Sequence, residues 1–166
     1  VLSLLRLVDN ELRDVEMIGA LRSCIAQLTL EELSQIRLAH ADMSFAGAAR
    51  ARAEEGEDAL SQKLRGFFAR LDSWRLRADT LPLGELVRAV CVESGFYTYA
   101  GALPGGAQRQ ANLDALVTRA ENFDAEISGS LTRFLGYAEH MRARGDGDSA
   151  HLLGEGDDVV RLMTIH

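Results

Sequence analysis

The residue types that nucleotide hydrolysis or nuclease chemistry requires are present in this sequence, but their spacing does not build a site. A Walker A loop needs the pattern GxxxxGK[ST], in which the lysine reaches the nucleotide phosphates. Lys63 is the only lysine, and Ser61-Gln62-Lys63-Leu64 has no glycine-rich approach. Lys63 also lacks the neighbouring acidic residue of an Asp-x-Lys nuclease site. The sequence therefore predicts no catalytic residues and no ATP site within this chain.

Side chains that ligate metals are also scattered. The histidines show neither HxxxH nor HExxH spacing; they are His40, His140, His151 and His166. Cys24 and Cys91 are isolated, without a CxxC motif, which favours buried free thiols over a zinc site or a disulfide. Gly154-Glu155-Gly156 is the nearest approach to a phosphate loop, but its acidic neighbours would repel phosphate, so we interpret it as a turn. We expect no metal and no cofactor in this chain.

The composition indicates one ordinary globular domain. Hydrophobic residues make up 47% and charged residues 26% of the 166 positions. The net charge of -7 argues against a surface built mainly to neutralise phosphates, so any contact with nucleic acid should be local. No apolar stretch approaches the roughly 20 residues of a membrane span, and the first residues lack the features of an export signal. We expect a cytoplasmic protein without membrane contact.

Hydrophobic periodicity predicts an all-α fold, beginning with helices at residues 1–9 and 14–23. Thr29 and Glu32 form a capping box for a third helix, whose apolar positions are Leu30, Leu33 and Ile36. Residues 39–56 show little apolar pattern, which indicates a solvated helix or a mobile connection. From Glu57 a long helix carries a core stripe with steps of four and three, formed by Leu60, Leu64, Phe67, Leu71 and Trp74.

The second half continues the helical pattern. A helix with Leu83, Leu86, Val87 and Val90 on its apolar face ends at Gly95. The aromatic cluster of Phe96, Tyr97 and Tyr99 has two interpretations: it stacks nucleic-acid bases, or it packs the helix junction. The absence of interleaved basic residues favours packing. After the turn at Pro104-Gly105-Gly106 we expect helices at residues 107–127 and from Leu131 to before Gly145.

The last residues have a different character. An acidic, glycine-rich stretch at 145–158 is predicted to be an exposed, flexible loop. Val159, Val160, Leu162, Met163 and Ile165 then predict a β-strand. A solitary strand cannot satisfy its backbone hydrogen bonds, so we expect its partner strands outside this sequence and the sequence to be cut at both ends. This divides the chain into a helical region, 1–157, and a strand region, 158–166.

Three segments resemble one family in order and spacing. They are LRLVDN at 5–10 with LRS at 21–23, GALPGGAQRQANL at 101–113, and the run from Gly154 to His166. The chain is similar in these segments to the AddA (RexA) family of UvrD-like helicases. The resemblance implies an internal part of an ATP-dependent DNA helicase and exonuclease that processes double-strand breaks together with an AddB/RexB-type partner. ATP and Mg would be bound elsewhere in that parent protein.

The resemblance also implies a place for each region and a role for four residues. Residues 1–157 would be the helical 2B insertion of the second motor domain, and the strand would lead into helicase motif V. Thr164 and His166 would contact DNA phosphate there; the alternative is a strand end with no site. Arg109 and Asn112 match an Arg-x-x-Asn-Leu pattern that would approach DNA or, as we favour, brace the insertion against the motor. Glu11 and Cys24 depart from the prolines common in the family.

The predicted function is therefore that of a non-catalytic part of a DNA helicase and exonuclease, which positions DNA or braces the motor. The alternative is a helical protein-interaction module that shares only ancestry with the helicases.

Overall fold

The computed structural model describes residues 1–127 and 130–144. All regular elements in these ranges are helices, which confirms the predicted all-α class. They are α1 (Leu2–Asp9), α2 (Asp14–Arg22), α3 (Leu30–Ala39), α4 (Phe45–Glu55), α5 (Ala59–Ala78), α6 (Leu83–Glu93), α7 (Phe96–Ala102), α8 (Gly106–Ile127) and α9 (Leu131–Arg144). The predicted loop that begins at Gly145 and the predicted strand region, 158–166, lie outside the described residues. The short helix α7 was not predicted.

The stripe of α5 lies at the centre of the core, as predicted. All five of its apolar side chains are at most 4% exposed. Burying side chains of this size stabilises a fold by roughly 1.5–3 kcal/mol each. Helix α5 packs against α1, α4 and α6, so this one helix connects the first half of the chain to the second.

Helix α1 depends on its neighbours. Leu4, Leu5, Leu7 and Val8 are all buried, and the helix packs against α2, α5, α6 and α9. A helix of eight residues is too short to be stable alone in water. Tertiary packing must therefore supply most of its stability.

Helix α4 corrects the expectation for residues 39–56. Ala46, Ala49 and Ala53 repeat with steps of three and four, and each is at most 3% exposed. This face packs closely on α5, and α4 also contacts α2 and α3. The segment is therefore a packed helix, and the expectation of a solvated or mobile segment was wrong for Phe45–Glu55. Alanine carries too little apolar surface to produce a strong hydrophobic pattern, although it allows helices to approach closely.

Helix α3 confirms the predicted start and corrects one core residue. The Thr29 side chain accepts a hydrogen bond from the backbone N–H of Glu32, and the Glu32 carboxylate accepts one from the backbone N–H of Thr29. Leu33 and Ile36 are buried as predicted, but Leu30 is 59% exposed. Leu30 lies about 120° around the helix axis from Ile36, so it falls outside the buried face.

Carboxylates at the ends of helices join elements that are distant in sequence. The Asp14 carboxylate accepts hydrogen bonds from the backbone N–H groups of Phe45 and Ala46, at 2.9 and 3.0 Å. In the same way, the carboxylate of Asp124 in α8 accepts a hydrogen bond from the backbone N–H of Leu83 at 3.2 Å. The free N–H groups at a helix start favour such a negative charge. These contacts fix where α4 and α6 begin relative to their neighbours.

A second polar connection joins α5 to α6. The indole N–H of buried Trp74 donates to the Glu93 carboxylate at 2.7 Å. Arg77 donates to both oxygens of the same carboxylate, at 2.9 and 2.5 Å. The hydrogen bond from Arg77, followed by that from Trp74, lowers the pKa of Glu93. The carboxylate thus satisfies the only polar group of the largest core side chain.

Candidate nucleic-acid interface

The junction between α7 and α8, here called the α7–α8 corner (residues 96–114), carries the two predicted contact residues that the structure describes. Gly105 has φ of +70°, a left-handed conformation that glycine adopts without strain. Gly106 begins α8 so close to α7 that a Cβ atom there would lie 1.9 Å from the carbonyl oxygen of Gly101. The predicted turn at Pro104-Gly105-Gly106 is therefore present, and its second glycine is required by the close approach of two backbones.

Arg109 and Asn112 lie three residues apart on the exposed side of α8. The Nε–H of Arg109 donates to the carbonyl oxygen of Pro104 at 3.2 Å, and its guanidinium forms no ion pair with any described residue. The side-chain oxygen of Asn112 accepts a hydrogen bond from the Gln108 amide at 3.1 Å. The structure thus brings both predicted residues to one surface. There the guanidinium of Arg109, held at Nε, and the side-chain amide of Asn112 face solvent.

Polar contacts behind this surface hold α8 against α7. The side-chain amide of Gln110 donates to the carbonyl oxygen of Tyr97 at 3.3 Å, and the Tyr97 hydroxyl donates to Asp114 at 3.1 Å. The hydrogen bond to the Asp114 carboxylate raises the pKa of Tyr97. Because these two contacts join α7 to α8, they hold in place the part of α8 that carries Arg109.

The aromatic cluster packs the helix junction, as favoured from the sequence, for two of its members. Phe96 and Tyr97 are half-buried against the hydrophobic core. Tyr99 is 47% exposed and lies tilted beside Phe96, with 6.2 Å between ring centroids. Gly95 ends α6 with φ of +75°, as predicted.

The other predicted contact residues, Thr164 and His166, lie outside the described residues, and their predicted contact with DNA phosphate stays a prediction. Cys24 and Cys91 are both free thiols; Cys91 is buried, whereas Cys24 is only half-buried. Burial raises the pKa of Cys91 to about 11. Residues 1–127 and 130–144 contain no group of three or more His, Cys, Asp and Glu side chains that could hold a metal ion. Over the same ranges, none of the helices combines the length and the apolar character that crossing a membrane would take.

One exposed surface was missed from the sequence. Arg133, Tyr137 and His140 share the outward side of α9, opposite the core residues Leu131 and Leu135 of that helix. Their spacing of four and three residues was the available signal. Only the apolar face of this helix was predicted from the sequence.

No protein-family model matches the chain. Among curated proteins, the chain is 41% identical over its whole length to a protein of Heliobacterium modesticaldum and covers 13% of it. It is 41% identical to a protein of Anoxybacillus flavithermus and 42% identical to one of Bacillus licheniformis, covering 14% of each. All three relatives are named as ATP-dependent helicase/nuclease subunits of the same type. The chain thus spans about one seventh of the length of these relatives.

Proposed function

The chain belongs to the family of these ATP-dependent helicase/nuclease subunits and is homologous, over its whole length, to one segment of them, which confirms the resemblance to AddA. We propose that it is a non-catalytic helical part of such a protein. The observation that carries this proposal is the match of the complete chain at about 41% identity. In this role the chain positions DNA or braces the motor while other parts of the protein bind ATP and Mg and cleave DNA.

The proposal assigns residues 1–157 to a 2B-like insertion and residues 158–166 to a strand of the motor domain that leads into motif V. Thr164 and His166 then contact DNA phosphate. The parent protein acts in the cytoplasm on double-strand breaks, together with an AddB/RexB-type partner. The all-helical character of residues 1–127 and 130–144 supports the assignment to a helical insertion.

Arg109 is the proposed contact of the helical region with duplex DNA. Its guanidinium is exposed, is held at Nε by Pro104, and forms no ion pair with any described residue. An arginine of this kind can donate its remaining N–H groups to phosphate oxygens. Asn112 supplies a second polar group one helical turn further along the same surface.

A gel-shift titration with forked DNA at low salt tests this contact. We expect Arg109→Ala to weaken binding and to reduce the salt dependence of log K by about 0.9, the value for one phosphate contact on B-form DNA. Arg22→Ala is the matched control, because Arg22 is an exposed arginine on α2, far from the corner in sequence. If the two substitutions have equal effects, Arg109 makes no specific contact with DNA. If the unmodified chain does not shift the forked DNA, only the bracing role is left.

An ATP-binding measurement tests the non-catalytic part of the proposal. We expect no saturable, Mg-dependent binding of ATP by the 166-residue chain, since its one lysine, Lys63, forms an ion pair with Glu32 at 2.7 Å and does not stand in a phosphate loop. Tight Mg-dependent binding would contradict the proposal directly.

The second candidate function is a helical module that docks a protein partner. It is favoured by exposed apolar side chains on the first helices, with Val15 81% and Leu38 80% exposed, because such residues often mark interfaces. Reading the gene beyond His166 separates the two candidates. A continuation with Lys-Ser-Lys-Gly-Leu-Glu and a Walker A loop upstream supports the helicase, whereas a stop codon directly after His166 supports the module.

A further inference from the structure

The outward face of α9 combines two basic side chains with one aromatic side chain. Arg133, Tyr137 and His140 follow at steps of four and three residues, so they form one stripe along the helix. Arg133 and His140 are exposed, and Tyr137 is 38% exposed. From Arg133 to His140 the helix rises about 10 Å. This pattern of alternating basic and aromatic residues is the one that the cluster around Tyr99 lacks.

Negative charge is absent from this stripe. Glu139 is the only acidic residue of α9, and its carboxylate pairs with Arg6 of α1 at 2.9 Å. By helical geometry Glu139 lies about 120° around the axis from Arg133. The guanidinium of Arg133 forms no ion pair with a described residue. Helix α9 thus places no acidic side chain on the stripe, although the net charge of the chain is -7.

The ring of Tyr137 is supported from behind. Its centroid lies 5.3 Å from that of Phe123 in α8, at an interplanar angle of 38°. Phe123 in turn meets the buried ring of Phe134 edge to face, at 5.6 Å. This three-ring cluster fixes the orientation of Tyr137 while leaving part of the ring exposed. A ring held in this way loses little rotamer freedom when a planar group stacks on it.

We propose that the stripe of Arg133, Tyr137 and His140 binds a strand of single-stranded DNA. Tyr137 stacks on an unpaired base, and the Arg133 guanidinium and the His140 imidazole donate hydrogen bonds to phosphate oxygens on either side of it. Single-stranded DNA is the occupant that fits, because in a duplex the bases are stacked on each other and the ring of Tyr137 would find no partner. The stripe lies on α9, whereas Arg109 lies on α8. Binding at the stripe therefore does not depend on the DNA contact proposed for Arg109.

Fluorescence anisotropy with a labelled 12-nucleotide oligo-dT at low salt tests the proposal on the 166-residue chain. We expect Tyr137→Ala to weaken binding about tenfold, the loss typical of one base–aromatic stack. Tyr137→Phe keeps the ring and should bind within about twofold of the unmodified chain. Arg133→Gln should reduce the slope of log K against log salt by about 0.7, the value for one contact on a single strand. Circular dichroism of each variant verifies that the helices are intact.

Two controls make the outcome decisive. Arg142→Gln removes an exposed arginine of the same helix that lies about 180° around the axis from Arg133, so it should leave binding unchanged. Arg22→Ala, which removes an exposed arginine of α2, should also leave oligo-dT binding unchanged. The proposal is overturned if oligo-dT does not bind, if Tyr137→Ala binds oligo-dT as tightly as the unmodified chain, if a 12-base-pair duplex binds as tightly as oligo-dT, or if Arg142→Gln weakens binding as much as Arg133→Gln.

Discussion

Replacing Gly106 by alanine should separate the two helices that form the α7–α8 corner. The added Cβ atom would lie 1.9 Å from the carbonyl oxygen of Gly101, 2.6 Å from its carbonyl carbon and 3.0 Å from its Cα. An ordinary contact begins at 3.4 Å. The helices must therefore move apart by about 1.5 Å, and no flexible side chain can absorb the change because both partners are backbone.

The expected cost follows from these distances. Overpacking costs typically about 1–3 kcal/mol, and a clash between two backbones belongs at the upper end of that range. Alanine recovers up to about 1 kcal/mol through its higher helix propensity. We expect a net loss of about 2 kcal/mol in the free energy of unfolding, which for a chain of this length lowers Tm by about 4–8 °C. Thermal unfolding followed by circular dichroism at 222 nm measures the shift.

Two other glycines provide matched controls. At Gly136 on the exposed side of α9 a Cβ atom would meet nothing within 4 Å, so Gly136→Ala should raise Tm by about 2–4 °C. At Gly101 the three atoms nearest to an added Cβ all belong to the end of the Gln110 side chain, the closest at 2.4 Å, and this flexible end can rotate away. Gly101→Ala should therefore cost less than Gly106→Ala. A Tm of Gly106→Ala at or above that of the unmodified chain would refute the proposed close approach.

Three further perturbations test other parts of the structure. Asp14→Ala removes the hydrogen-bond acceptor at the start of α4 and should lower the free energy of unfolding by about 1–2 kcal/mol in urea titrations, with Asp14→Asn intermediate. Equal stability of the unmodified chain and both variants would argue that Asp14 does not cap α4. Cys91, with its pKa raised to about 11, should resist iodoacetamide at pH 8 in the folded chain and react after unfolding. The lowered pKa of Glu93 contributes stability that is present at neutral pH and is lost as the pH falls below about 4.5. Glu93→Gln should therefore flatten the decrease in Tm between pH 5 and 3. An unchanged slope would contradict the Arg77 contact.

Local signals in the sequence were sufficient where the physical cause is itself local. The capping box at Thr29 and Glu32 joins residues three positions apart, so its pattern could be recognised without knowledge of the fold. The stripe of α5 was recognisable because every one of its members is a large apolar residue at helical spacing. Arg109 and Asn112 lie on one exposed side of α8, as a spacing of three requires on a helix, and their predicted contact stays a prediction.

Contacts between distant residues left no such signal. Asp14 caps a helix that begins 31 residues later. The carboxylate of Glu11 accepts hydrogen bonds from Arg50 in α4 and Arg75 in α5, the second of them 64 residues away. Arg50 also stacks over the ring of Phe68, with its guanidinium carbon 4.2 Å from the ring centroid. Nothing in the neighbourhood of an acidic or basic residue in the sequence identifies a partner on another helix.

The sequence by itself determined the helical class, the start and end of most helices and the relationship to the AddA family, because these depend on residue spacing within short segments. Only the tertiary structure decided which weakly apolar faces are buried, as for the alanines of α4, and why Gly106 must be glycine. It also decided that the ring of Tyr137 rests on Phe123 between two exposed basic residues. Burial and close approach are properties of pairs of elements, so they are fixed only when the helices pack.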